Sequence, residues 1–403
     1  MNIIYVSTCC SQNKLTELSE KGYFKGIVCA QKYHLLMMQG LCENLDGDVL
    51  AVSAVPTNRQ WTKKLLFKNS SEKDGKLSFF YSGFINYPIL RQLSLYLNTL
   101  RIIKKYCKKY KDCVIVCDIL NQSIATAARK AGEKCKVPVI GIVTDVPGAC
   151  VGNVNKDSSR NPVSAFISKY SKESMLNYDG YLLLTKAMNE LVNPHNKPYV
   201  VIEGHSDIGM STSENLIENK SSPNVIMYAG GVSKVYGIEM LVNAFKKINP
   251  DNWELHIYGK GDYDKELSER SKTEDKIKFG GLLPNSEIVD KQIKAALLVN
   301  PRPTDKEYVK YSFPSKTLEC MVSGTPLITT ALPGMPKEYN DYVYIFDKET
   351  EDGFADTLKK VMSLDKEEIH SKGISAKEFA LKEKNNVTQA KKFTEFLVDI
   401  CIK

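Results

Sequence analysis

Short runs of Val, Ile, Leu and Tyr alternate along the chain with longer segments in which apolar residues return every three or four positions. Most of the short runs close on Gly, Asp, Ser or Pro. Enrichment in β-branched and aromatic residues with that punctuation predicts strands. The first half gives 2-NIIYVS-7, 48-DVLAVSAV-55, 113-CVIVCD-118, a run over 138–145, 181-YLLLT-185 and 199-YVVIEG-204. The second half repeats the rhythm with 224-NVIMYAG-230, 254-ELHIYG-259, 276-KIKFGG-281, 296-ALLVNP-301, 326-PLITT-330 and 343-VYIF-346. Helical periodicity fills the gaps, as in 238-IEMLVNAFKKI-248 and 354-FADTLKKVMSL-364. Strands alternating with helices argue for parallel sheets joined by right-handed crossovers. Two such runs predict an α/β protein with two Rossmann-like domains, at 1–204 and 224–380. Between them, 205-HSDIGMSTSENLIENKSSPN-224 is rich in Ser, Asn and Glu and reads as a linker over 205–223 plus the entry to the second domain. The last segment, 375–403, reads as one long helix with no strand after it. Its end, 381–403, has the length to cross back to the first domain.

Composition narrows the class. At 403 residues the chain suits two domains of about 100–200 residues each. Hydrophobics at 43% and charges at 25% are those of an ordinary globular protein. The longest apolar runs fall far short of the roughly 20 residues that cross a bilayer. The opening MNIIYVSTCC lacks a basic start and reads as a strand, not a secretory leader. Eleven cysteines are scattered through apolar segments with no CxxC pair, which suggests buried thiols in a reducing compartment and no metal site. Two Asp-x-Asp triplets, at 46–48 and 262–264, sit in turns without supporting ligands and read as surface turns. These points lead to the expectation of a cytoplasmic protein, peripheral to the inner face of the cell membrane if residues 78–111 meet it.

Charge is uneven. Residues 1–202 carry 27 Lys and Arg against 15 Asp and Glu, and the remainder carries 28 against 32. The densest basic stretch, 101-RIIKKYCKKYK-111, follows the aromatic and leucine-rich 78-SFFYSGFINYPILRQLSLYL-97. Residues 78–111 therefore read either as an amphipathic helix with a solvated lysine face or as a basic, apolar surface for an anionic membrane. No nucleic-acid reader motif accompanies the charge.

Three loops have the make-up of phosphate sites. In open parallel sheets, ligands bind where strand ends meet helix N-termini, because helix starts offer unpaired N–H groups and a partial positive charge. The first is 228-YAGGVSKVYG-237, with Gly230, Gly231 and Lys234. The second is 258-YGKGD-262, with Tyr258 and Gly259. Either reads equally as a plain strand-to-helix turn. The third follows the strand 296–301: Arg302, a polar loop, then 312-SFPS-315 and a helix of about two turns ending near Gly324. Pro314 suits a helix start and Ser315 can cap it. Lys316 stands in the first turn, where a cation is disfavoured unless an anion is bound. Ser315 and Glu319 are four apart and share a helix face. A carboxylate there suits ribose hydroxyls, as in dinucleotide folds.

With 300-NPR-302 and 311-YSFPSKTLECMVSGTPLITT-330, the chain resembles the family 4 glycosyltransferases. Supporting pieces are 228-YAGG-231 with Tyr236 and Gly237, 31-QKYHLL-36, 144-TDVPG-148 and 179-DGYLLLTKAMNELVN-193. The resemblance implies the GT-B fold, two facing Rossmann-like domains with a cleft between them. It also implies retaining transfer of a sugar from a nucleotide diphosphate, a UDP-sugar being favoured, without a bound metal. By resemblance, Glu319 holds the donor ribose, and Ser312, Ser315 and Thr317 with neighbouring amides hold the diphosphate. Lys234 and Lys316 neutralise it, and Tyr258, Gly259 and 279-FGG-281 line the base pocket. The family usually carries two glutamates separated by seven residues. The second matches Glu319, but the catalytic first one falls on Tyr311, which does not ionise near neutral pH. Family members also carry an Arg and a Lys in the glycine loop, where this chain has Gly231 and Tyr236. Arg302, Lys234 and Lys310 are the candidate replacements.

Leaving-group charge builds on the diphosphate, so cations and helix dipoles there lower the barrier most. On the acceptor side, Asp145 at the end of the strand 138–145 is the candidate catalytic carboxylate, with Asp118 and Asn121 weaker ones. Asp before Val-Pro-Gly is also good turn chemistry. His34 and His205 read as structural. The leading expectation is a membrane-peripheral transferase acting on a glycan or lipid-linked glycan in bacterial surface polysaccharide synthesis. The alternatives are a nucleotide-sugar epimerase and a nucleotide-sugar-binding subunit that activates a partner. A NAD oxidoreductase is disfavoured, since no GxGxxG follows the first strand.

Overall fold

The computed structural model describes residues 1–26, 29–146, 176–212 and 214–402. The chain divides into two compact units, Met1–His205 with Asn386–Lys403, and Ser206–Asn385.

The first unit is built on strands β1 Asn2–Ser7, β2 Val49–Ser53, β3 Leu66–Phe67, β4 Ser70–Asp74, β5 Leu77–Tyr81, β6 Phe84–Ile85, β7 Cys113–Asp118, β8 Val139–Val143, β9 Gly180–Leu183 and β10 Tyr199–Val201. Eight of them form one sheet in the order β10-β9-β8-β7-β1-β2-β5-β4. All pairings in it are parallel except β4 on β5. Ile3, Ile4, Val6, Val114, Ile115 and Val116 are fully buried. Their strands are covered on both faces, so they read as unbroken apolar runs rather than alternating ones. The β4–β5 hairpin was not expected from the pattern. Its two-residue turn is Gly75 and Lys76, with glycine supplying the positive φ, +58°, that a tight hairpin requires at its first position. Within 78–97, Ser78–Tyr81 is the interior of β5, with Phe79 and Tyr81 buried. Only the part from Leu90 is helical, in the helix Leu90–Lys109.

Chain end and chain start meet in this unit. Helix Asn386–Ile402 packs on helix Cys29–Asn44 and buries Ala390, Phe393 and Leu397. The Asn44 side-chain amide donates to the Val387 carbonyl at 2.9 Å, and that of Asn386 to Leu36 at 3.2 Å. Phe393→Ala is expected to destabilise the first unit by about 3–5 kcal/mol, because a fully buried ring is removed from a packed interface. Calorimetry of the full chain reads this as a lowered transition. The single helix expected over 375–403 is in fact two, Lys366–Glu383 and Asn386–Ile402. The Lys384 ammonium is drawn onto the Glu338 carboxylate, over the rings of Tyr339 and Phe379, and the Asn385 amide caps the Leu381 carbonyl at 2.7 Å.

The second unit carries β11 Asn224–Gly231, β12 Trp253–Lys260, β13 Ile277–Gly281, β14 Leu297–Asn300, β15 Leu327–Thr329 and β16 Tyr344–Ile345. They form a parallel sheet in the order β13-β12-β11-β14-β15-β16. Helix Ile238–Ile248 turns Ile238, Leu241, Val242 and Phe245 inward, at the one-, three- and four-residue spacings of a helix face. Each such side chain contributes about 1.5–3 kcal/mol on burial. They join Ile226, Leu255, Ile257 and Leu297 in one core. The segment read as a linker and the entry to the second domain is fastened into this unit from Ser206 onward. Asn215 is buried and donates to the Ser323 carbonyl at 2.7 Å. The Lys220 ammonium donates to the carbonyls of Ile293 and Ala295 and to the Thr325 hydroxyl at 2.8–3.0 Å.

Candidate functional site

In the second unit the strand order reverses at β11 and β14, which neighbour each other although far apart in sequence. Crossovers leave the sheet in opposite directions from such a point, so a crevice opens beyond the carboxyl ends of the two strands. A cavity of about 310 Å³ lies there, lined by Tyr228 and Gly231 of β11, Tyr236, Asn300 of β14, Arg302, and Phe313–Lys316. Four sequence-selected residues, Gly231, Arg302, Ser315 and Lys316, thus come together around one space.

Its chemistry is cationic. Arg302 donates from Nη2 to the Ser312 hydroxyl at 3.2 Å and stacks over the Tyr308 ring at 5.3 Å. Its Nε is buried with no hydrogen-bond partner among the described residues. A buried guanidinium donor left unpaired costs free energy unless a ligand meets it. The Thr317 hydroxyl is in the same condition. Lys316 extends from the helix start to the end of β11, where its ammonium donates to the Ala229 carbonyl at 3.0 Å. Gly230 makes the path: a Cβ there would stand 2.4 Å from Lys316 Nζ and 2.7 Å from the Tyr228 hydroxyl. The carbonyl gives a second reason for a cation in that first turn, besides a bound anion.

Several details differ from expectation. Helix Ser315–Val322 begins at Ser315, with Pro314 in the cap position and no side-chain cap bond, so Ser315 is helical rather than capping. The Thr317 N–H, expected for a phosphate, is taken by the Pro314 carbonyl at 2.8 Å. Gly324 follows the last turn with φ +74°, as a left-handed helix stop requires. Glu319 is exposed, one turn after Ser315, while Leu318, Met321 and Val322 are buried. Lys234 does not line the cavity. Its ammonium pairs with Glu239 and Glu266, each at 2.8 Å, and their hydrogen bonds raise its pKa. Tyr258 is buried against Gly280, with Lys291 over its ring at 5.4 Å, and Gly259 is pressed against the Gly230 carbonyl. Neither lines the cavity. Tyr311 ends the short turn Glu307–Tyr311 with its ring buried and the Lys310 ammonium 4.8 Å from it, and it too is outside the lining. Tyr228, Tyr236, Asn300 and Phe313 were missed as lining residues. Each lies inside a quoted motif, but nothing in residue type alone separates a ring facing a cavity from one facing the core.

Asp145 belongs to the first unit, just beyond β8. It accepts from the Val146 N–H at 2.8 Å, a turn interaction. Pro147 and Gly148 of the 144–148 motif lie outside the described residues. Asp118, at the end of β7, accepts from the Leu120 N–H at 3.0 Å and stands 3.4 Å from His34, whose other ring nitrogen meets the Tyr5 hydroxyl at 2.8 Å. His205 stacks on Tyr33 at 4.6 Å, and burial lowers its pKa to about 4. Both histidines sit in packed surroundings.

Residues 223–363 match the family model described as glycosyl transferases group 1, which marks the second unit as a glycosyltransferase domain. No curated protein sequence matches the chain. Among solved structures, the chain is similar to a sucrose-phosphate synthase from Thermosynechococcus elongatus, with TM-score 0.66 and 13% identity over 99% of both chains. It is similar to HepE of Anabaena in complex with UDP, with TM-score 0.62 and 13% identity over 99% of this chain and 100% of that one. The catalytic domain of starch synthase IV from Arabidopsis thaliana, bound to ADP and acarbose, gives TM-score 0.68 and 10% identity over 100% of both. At these identities the likeness is one of fold, the GT-B fold, and it spans the whole chain.

Proposed function

We propose that the protein is a retaining glycosyltransferase that moves a sugar from a nucleotide-diphosphate donor, UDP-linked as in the HepE complex, to a glycan or lipid-linked glycan of a bacterial surface polysaccharide. The observation that carries the donor half is the unpaired, buried Arg302 Nε in a cationic cavity at the point of strand reversal. Arg302 and Lys316 meet the diphosphate. As the bond from sugar to phosphate breaks, negative charge grows on the leaving oxygen, and these two cations stabilise it. Glu319 receives the ribose hydroxyls from the same helix face as Ser315. Lys234, held by two glutamates, supports the loop after β11 and leaves the phosphate charge to Arg302 and Lys316. Asp145 is the acceptor-side carboxylate that receives the proton of the attacking hydroxyl. The fine assignment to surface polysaccharide rests on the family resemblance and on the basic first unit.

Glu319→Ala tests the ribose assignment. UDP affinity is expected to fall about tenfold or more by calorimetry, the loss of a charge-assisted hydrogen bond, while pyrophosphate binds as before. Unchanged UDP affinity refutes the role. One observation favours a second reading, a nucleotide-sugar-binding subunit without turnover: Tyr311 stands buried where the family places an acid. Incubation with a panel of nucleotide sugars separates the readings. Slow donor hydrolysis with one sugar supports the transferase, and interconversion of two sugars supports an epimerase. Binding without turnover, even with membrane extract supplied, sinks the enzyme.

A further inference from the structure

Helix Leu90–Lys109 carries an outward stripe that its packing does not explain. Leu90, Leu93, Leu97, Arg101, Lys104 and Lys108 follow one another at helical spacings along one face. The opposite face, with Leu95, Thr99, Ile102 and Ile103, is buried. The three stripe leucines are 45%, 52% and 53% exposed. An amphipathic helix needs apolar residues only toward its core, so three leucines in line on the wet side require another cause. The helix packs on the two-stranded sheet of β3 and β6, where exposed Leu66 pairs with exposed Ile85 and the Ile85 N–H donates to the hydroxyl of Ser94, next to Leu93, at 3.0 Å. At the corner, Ile89 is 79% exposed with φ +66°, a strained backbone for a β-branched residue. Charge runs one way as well. From Val49 to Lys111 the chain has thirteen Lys and Arg against two acids, Glu72 and Asp74.

We infer that this face docks on an anionic lipid bilayer. The leucine end of the helix, with Leu66, Ile85 and Ile89, enters the boundary between headgroups and acyl chains. The cationic end lies over the headgroups, so the helix rests in the plane of the surface. It does not span: no helix among the described residues is long and apolar enough to cross a membrane. The mixed stripe speaks against other occupants. A second copy across a two-fold axis sets lysines against lysines or buries them on leucines, both unfavourable. A nucleic acid engages the cations and leaves the leucines idle. The inference stands on the first unit alone and is independent of the nucleotide cavity.

Co-sedimentation of the full chain with vesicles tests it. The protein is expected to sediment with phosphatidylglycerol-containing vesicles and not with phosphatidylcholine alone, and high salt should release it. Leu93→Asp with Leu97→Asp should weaken binding about tenfold or more at low salt. Lys104→Glu with Lys108→Glu should remove the preference for anionic vesicles. Leu93, Leu97 and Lys108 are exposed and Lys104 is half-buried, and unaltered melting by circular dichroism confirms that the variants fold. UDP affinity of the same variants should not change, which separates failure of this surface from failure of the donor site. No sedimentation with any vesicle overturns the inference. So does wild-type sedimentation of both double variants, or a dimer in solution that the leucine variant splits.

Discussion

Arg302→Ala is expected to weaken UDP binding by about 30- to 150-fold, the equivalent of losing one or two hydrogen bonds to a charged group at about 2–3 kcal/mol. The expectation rests on three observations. Arg302 follows β14 at the strand reversal, it lines the cavity, and its Nε has no acceptor within the described protein. Arg302→Lys keeps the charge but loses the planar fork, and should recover less than half of the lost free energy. The alanine variant should melt at or above the wild-type temperature, since it removes an unsatisfied buried donor. If UDP binds the alanine variant as tightly as the parent, the diphosphate does not sit in this cavity. A drop in melting temperature with unchanged nucleotide affinity would recast Arg302 as a support for Ser312 and the loop before the helix.

The second large effect is on folding. Gly259 has φ +135°, and a Cβ there would stand 1.7 Å from the Gly230 carbonyl oxygen. The two residues pair across β11 and β12, so the obstruction is backbone against backbone and nothing flexible can yield. Gly259→Ala is expected to destabilise the second unit by at least about 3 kcal/mol, from backbone strain and the forced separation of the strands together. Gly281→Ala is the reference. That position also has positive φ, +62°, but open space around it, so it isolates the conformational part at about 1–2 kcal/mol. Denaturant melts of the two variants measure the difference. A UDP titration of whatever folded Gly259→Ala remains should show lowered affinity, because the strands that separate carry the Gly230–Gly231 end of the cavity. Equal stability of the two variants would mean that β11 and β12 part without cost.

All twelve strands read from the apolar runs are present, most within two residues of their expected ends: β2, β7 and β8 are buried on both faces and so continuously apolar, while β12 and β13 alternate buried and open positions. Strands β3, β4, β5 and β6 escaped notice: β3 and β6 are two residues long, β4, Ser70–Asp74, is a polar segment with no buried residue, and β5, Leu77–Tyr81, alternates buried and half-buried positions at the start of an aromatic and leucine-rich run that read as one amphipathic surface. For the site, types and spacing selected Gly231, Arg302, Ser315 and Lys316, since glycine at a strand end and cations at a helix start are unusual on local grounds. They misdirected attention at Lys234. Its partners Glu239 and Glu266 are brought to it by tertiary packing, which no local window contains. The bond from the Thr317 N–H to the Pro314 carbonyl was likewise invisible, because it depends on how tightly the first helical turn is wound.

One feature of the fold bears on how the protein is made. The first unit lacks the helix Asn386–Ile402 until the whole of the second unit has been synthesised. That interval is the synthesis of the second unit, which is contiguous in sequence and needs no later segment to complete it. The first unit meanwhile holds its sheet with an unfinished flank, the side of helix Cys29–Asn44 that Phe393 and Leu397 will cover. Nascent chains stalled in that interval should therefore present a sticky helix face to chaperones, although most of their strands are already in place. The usual order, in which the N-terminal domain completes itself first during synthesis, is therefore closed to this chain, whose earlier unit waits for its last piece until the later one has been made.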